Sequence, residues 1–142
     1  MGVPADARQA FQELLAVMIK QDISPSFLSQ RLRINKCEVV RIAGRERFPQ
    51  GRTVEKAGGL DAVLRAQAEW QELRATVLRI MATKRFTTIR ELVHEFPLNG
   101  GSERYIRRLV RGLEREGLVE RSALPKFIRL TERGRREARL LG

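Results

Sequence analysis

The sequence predicts a mainly α-helical protein: a bundle of short helices at the N-terminus, a long middle helix, and a C-terminal unit whose helices are closed by a short β-hairpin. Three observations predict this. Apolar residues recur at helical spacing along most of the chain. Helix start signals (Ser, Thr or Asn, once followed by proline) stand directly before those runs. One stretch near residues 118–130 abandons the helical period and alternates instead. The expected boundaries are 1–60 for the first domain, 61–84 for a connecting helix shared with the second, and 85–142 for the second domain.

The first helix is expected over Asp6–Lys20, with Ala7, Ala10, Phe11, Leu14, Leu15, Met18 and Ile19 at core spacing. Ser24 followed by Pro25 is an N-cap with proline at the first helical position, and opens a helix to Leu32 that buries Phe27, Leu28 and Leu32. Asn35 and Glu38 have the spacing of a capping box, in which a cap and the residue three later satisfy each other's backbone N–H groups. They open a second short helix, Lys36–Ala43, with Val39 and Ile42 inward and Gly44 as its stop. Two short helices joined by a tight turn form a helix-turn-helix pattern. In that arrangement the first helix braces the second, and the outer face of the second, here Asn35, Lys36, Glu38, Val40 and Arg41, is left free.

From Leu60 to Lys84 no strong breaker interrupts the chain, which predicts one helix about 37 Å long at 1.5 Å per residue. Val63, Ala66, Trp70, Leu73, Val77 and Ile80 line one stripe, with Leu64, Leu78 and Met81 beside it. The run is shorter than the three or four heptads a coiled coil normally wants. It reads as a connector that could also pair with a copy of itself, with Trp70 in a core or interface.

Beyond it, "TTIRELVHEF" reads as a helix capped by Thr87 or Thr88, with Ile89, Leu92, Val93 and Phe96 as its apolar stripe, and Pro97–Gly101 reads as a turn. Ser102 then caps a helix over Glu103–Glu116 that Gly117 ends. On this helix Ile106, Leu109, Val110 and Leu113 share one side, while Arg104, Arg107, Arg108 and Arg111 fall at i, i+3, i+4 and i+7 on the other. Like charges at that spacing cost a few tenths of a kcal/mol per pair in an isolated helix. Glu103 and Glu114 offset part of that. Leu118, Glu120, Phe127 and Arg129 mark two short strands around Ser122-Ala123-Leu124-Pro125, and Thr131 starts a last helix anchored by Ala138, Leu140 and Leu141.

Charge narrows the partner. The 142 residues carry 28 Lys and Arg against 17 Asp and Glu, a net charge of +11. Residues 1–70 contribute +3 (11 basic, 8 acidic) and residues 71–142 contribute +8 (17 basic, 9 acidic). Such an excess favours a polyanion, nucleic acid first and anionic membrane second. One Trp and one Tyr are too few for a single-strand stacking platform. Cys37 and His94 are each the only residue of their kind, which removes disulfides, cysteine-rich zinc sites and His-paired nucleophiles. No enzyme, cofactor or metal is expected. The start has no secretory pattern and no apolar run reaches the roughly 20 residues that span a bilayer, so a cytoplasmic, nucleoid-associated location without membrane contact is expected.

Two family resemblances stand on these residues. Residues 24–60 resemble the phage-repressor helix-turn-helix family (the lambda repressor and Cro type) at Leu28, Leu32, Ile34, Val39, Arg41, Ile42, Pro49, Val54 and Lys56. Arg33 stands where that family has its turn glycine, so a residue that disfavours positive φ must make the turn. Residues 71–142 resemble the winged helix-turn-helix transcription regulators of the multiple-antibiotic-resistance type, on "LEREGLVER" and "FIRLTERGRREA". Together the resemblances imply a sequence-specific regulator of double-stranded DNA, a small repressor of phage or plasmid kind. The second unit would contribute Ser102, Arg104, Tyr105, Arg107, Arg108 and Arg111 from its recognition helix and Arg121, Lys126 and Arg129 from its wing. Such a protein would act as a homodimer through the 61–84 helix or as a monomer on an asymmetric site. The alternative is a winged-helix module that binds proteins and does not read DNA.

Overall fold

The computed structural model describes residues 2–96, 103–122, Leu124 and 126–141. Among them the chain is mainly helical, with a small antiparallel sheet of three strands. It divides into two units, Met1–Trp70 and Gln71–Gly142.

The N-terminal unit contains α1 (Ala5–Lys20), α2 (Pro25–Leu32), α3 (Lys36–Ala43), α4 (Gly51–Ala57) and the first part of α5 (Gly59–Ala82). Ser24 caps α2 by accepting from the Phe27 N–H, with Pro25 opening the helix. The turn to α3 is made by Arg33 at φ 56°, ψ 36°. An L-residue there costs about 1–2 kcal/mol relative to right-handed backbone, and Ser29 steadies the turn by donating its hydroxyl to the Ile34 carbonyl at 2.6 Å. Gly44 follows α3 with φ −79°, so the left-handed residue that ends the helix is Arg45 at φ 63° rather than the expected glycine.

Phe11, Leu15 and Met18 of α1 pack in a core with Phe27, Leu28, Leu32, Val39, Ile42 and Val54, all buried. Trp70 meets Phe27 edge-on, with ring centroids 5.1 Å apart and planes at 65°. Ala7 is exposed, and Gln12 takes a place in the buried stripe of α1. Its amide donates at 3.1 Å to the carbonyls of Ile42 and Arg47, tying α1 to the end of α3 and the loop beyond. A buried amide is tolerated because it is paired. α4 carried no start signal in the sequence, and its N-cap Gln50 makes no side-chain cap bond.

In α5, Val63, Ala66, Trp70 and Val77 are all buried in the single chain, as are Leu78 and Met81. Leu73 and Ile80, the other two residues of the expected stripe, are half-buried. Leu64, read as part of the apolar side, is 46% exposed.

The C-terminal unit contains the rest of α5, β1 (Thr87–Thr88), α6 (Ile89–Glu95), α7 (Glu103–Arg115), β2 (Val119–Arg121), β3 (Phe127–Leu130) and α8 (Glu132–Leu140). The expected hairpin of β2 and β3 gains a third strand, and the order is β1-β3-β2. Val119 faces Leu130, Glu120 faces Arg129, and Thr87 and Thr88 of β1 pair with Ile128 and Phe127. Thr88 also caps α6 by accepting from the Glu91 N–H. The core takes Leu92, all four apolar residues of α7, Leu118, Val119, Ile128, Leu130 and Ala138. Leu140, expected as an anchor of α8, is 87% exposed.

α7 ends in a left-handed Gly117 (φ 78°), with the Leu118 N–H returning to the Leu113 carbonyl. Thr131 then locks the hairpin to α8. Its N–H donates to the Leu118 carbonyl (2.9 Å), its hydroxyl donates to the Gly117 carbonyl (2.7 Å), and its oxygen accepts from the Gly134 N–H (3.0 Å). Arg74 pairs with Glu116 at 2.9 Å and with Glu137 at 3.5 Å, joining its helix to the end of α7 and to α8.

Candidate nucleic-acid interface

In the N-terminal unit the outer face of α3 presents Lys36, Cys37, Val40 and Arg41, all exposed, with Val40 at 49%. Asn35 is exposed too, but its amide oxygen is engaged as the N-cap, accepting from the Cys37 N–H at 2.8 Å. Glu38 forms no reciprocal half of a capping box. Its carboxylate accepts from Arg47 at 2.6 Å, and its side chain is only 20% exposed. Of the α3 residues predicted to meet a partner, Lys36 and Arg41 therefore present open cationic heads. Asn35 and Glu38 have intramolecular duties.

Glu38 and Arg47 stand at the side of an open groove of about 730 Å³. Arg33, Arg52 and Lys56 line it with them, and Asn35, Gln50 and Thr53 add hydrogen-bonding groups. No local motif marks these cations as a set. The available signal was the density of basic residues from Arg41 to Lys56, which the α2–α3 turn and α4 bring to one place.

In the C-terminal unit the two sides of α7 separate as the spacing predicts. Ile106, Leu109, Val110 and Leu113 are at most 4% exposed, while Arg104, Arg107 and Arg111 are exposed and Arg108 is half-buried. Tyr105 is half-buried on the same helix. Arg107 pairs with Glu103 one turn earlier at 3.3 Å. Among the described residues no ion pair is formed by Arg104 or Arg111. The expected cap, Ser102, and the preceding turn lie outside the described residues.

The sheet holds its cations more closely. Arg129 pairs with its cross-strand neighbour Glu120 at 2.7 Å and lies over the Phe86 ring at 5.5 Å. An Arg121 guanidinium nitrogen sits 2.8 Å from a Glu114 carboxylate oxygen, outside hydrogen-bond geometry, so that contact is Coulombic. Lys126 is exposed, with its ammonium 5.6 Å from the Phe127 ring centre. The exposed pairs of Arg107 and Arg129 contribute about 0–1 kcal/mol each, so a phosphate can displace their carboxylates at little cost, whereas Arg121 faces a buried Glu114 oxygen that would be left without its cation. Arg107 and Arg129 remain accessible in that sense, while Arg104 and Arg111 need no exchange.

Among the described residues no group of three or more His, Cys, Asp or Glu side chains is arranged to hold a metal ion, and no helix is long and apolar enough to cross a membrane. A scan against protein-family models and searches of characterised proteins and of solved structures find no match to this chain.

Proposed function

We propose that the protein is a sequence-specific double-stranded DNA-binding regulator, a small repressor that uses two helix-turn-helix units, the second of them winged. One observation carries the reading: α7 buries its whole apolar stripe and turns Arg104, Arg107, Arg108 and Arg111 to its other side. A helix braced in this way enters a major groove without unfolding anything. Its arginines can pair bidentately with guanine O6 and N7 or bind phosphates and set register. α3, with Lys36, Val40 and Arg41 exposed, is the corresponding element of the first unit, and Val40 offers the apolar contact a thymine methyl takes. The burial of Val63, Ala66, Trp70 and Val77 within one chain, four of the six residues of the expected seam, supports a monomer on an asymmetric site over a dimer built on α5.

Binding to random duplex DNA across a salt series tests the reading. Changing Arg104, Arg107, Arg108 and Arg111 together to Ala should weaken binding and flatten the salt dependence by about 0.9 in log K per log[salt] for each phosphate no longer neutralised. Unchanged affinity rejects it. The second reading is a winged module that binds another protein without reading DNA, its exposed arginines meeting an acidic surface. That reading predicts no duplex binding by either unit.

A further inference from the structure

The groove beside α3 has a composition that folding does not explain. Its cations are Arg33, Arg47, Arg52 and Lys56, and its one carboxylate is Glu38, which leaves a net +3 around about 730 Å³. Like charges gathered round one open space repel. Arg33 adds a second cost. It sits at φ 56°, where glycine would be at ease, and still presents its exposed side chain to the groove. A strained, charged residue on the wall of a cavity points from geometry toward a ligand. The volume lies within the range of small-molecule sites, and the cationic and hydrogen-bonding groups that line it suit an anion. Guanidinium forks match phosphate oxygens bidentately.

We propose that this groove is a phosphate-binding site in which Arg33, Arg52 and Lys56 hold the anion and Glu38 competes with it for Arg47. The Glu38–Arg47 pair, 2.6 Å long, fills one cationic position with an internal carboxylate until a phosphate takes its place. The phosphate can belong to a DNA backbone, which extends the reading above, or to a free phosphate ester, which does not depend on it.

The test uses the isotope-labelled full chain, followed by backbone amide shifts, with inorganic pyrophosphate in one arm and a random-sequence duplex in the other. Pyrophosphate should move the amides of residues 33–38 and 47–56. Its affinity should fall about tenfold in the double variant Arg33→Gln, Arg52→Gln and rise about threefold in Glu38→Gln. A gain of affinity cannot arise from misfolding, so the Glu38 variant keeps the test sharp if the double variant is unstable. If the duplex moves the same amides, the backbone of DNA is a source of the phosphate; if only pyrophosphate does, the ligand is a free ester. Groove amides unmoved in both arms, or affinities indifferent to all three substitutions, overturn the proposal. The variant with the four α7 arginines removed separates the two claims, since it should lose duplex affinity and keep the pyrophosphate response.

Discussion

Gly134→Ala sets two effects of known size against each other. Gly134 is the third residue of α8, where alanine would ordinarily favour the helix by about 1 kcal/mol. Here its place is taken from the other side. A Cβ would press deep into the Leu118 carbonyl oxygen, 3.0 Å from that carbonyl carbon and 3.2 Å from the Leu130 Cδ2. Relief requires α8 to withdraw by about 1 Å, since comfortable C···O approaches begin near 3.3 Å. Withdrawal stretches the Thr131 bonds to the Leu118 and Gly117 carbonyls, each worth about 1 kcal/mol. Overpacking strain adds about 1–3 kcal/mol. Strain wins, and the net loss is about 2–4 kcal/mol. In a unit of this size each kcal/mol moves Tm by about 4–8 °C, so the C-terminal unit should melt roughly 10–30 °C lower by scanning calorimetry. A Tm that is unchanged or raised would mean that α8 does not lie against Leu118, and the close packing at Gly134 would be refuted.

Arg33→Gly should stabilise the N-terminal unit by about 0.5–1 kcal/mol in urea denaturation, because relief of the left-handed strain exceeds glycine's greater chain entropy. A loss of stability would show that the Arg33 side chain makes contacts that matter to the fold. Gln12→Leu should cost about 1–3 kcal/mol by the same measurement, since it leaves the Ile42 and Arg47 carbonyls without their buried donor; a neutral result would mean that water reaches them. Lys36→Ala with Arg41→Ala should reduce the salt slope of duplex binding by about 0.9 for each phosphate these two side chains neutralise. If affinity, slope and sequence preference all stay the same in a binding titration, α3 is not a DNA-contacting element.

The parts of the fold legible in the sequence are those whose signals are local. Ser24 with Pro25, and Asn35 alone, fix the starts of α2 and α3, because an N-cap acts on N–H groups two or three residues away. The burial of Ile106, Leu109, Val110 and Leu113 follows from helical spacing alone, and the sides of α7 follow with it. β1 has no sequence signature because two residues have no period, and Thr87 and Thr88 become a strand only through Phe127 and Ile128, some forty residues on. α4 is short and lacks a side-chain cap. Gln12 is polar at an apolar position, and its partners lie thirty and thirty-five residues away. Glu38 has the spacing of a capping box, yet Arg47 offers its carboxylate a cation, and a charge-assisted pair is stronger than a bond to a neutral backbone N–H. At Gln12 and Glu38 a tertiary contact outweighs a local preference, while α4 and β1 are too short to carry a local signal.

The edge-on contact of Trp70 with Phe27 also has a spectroscopic consequence. Trp70 is the only tryptophan in the chain and lies in the core of the N-terminal unit, while the only tyrosine, Tyr105, rides on α7 in the other. Long-wavelength excitation therefore reports on the first unit alone, and its emission should shift red when that core opens to water. Tyrosine emission excited at shorter wavelength carries the signal of the second. The two halves of the molecule hold separate native fluorophores, so the loss of each core can be followed in one cuvette without attaching a dye.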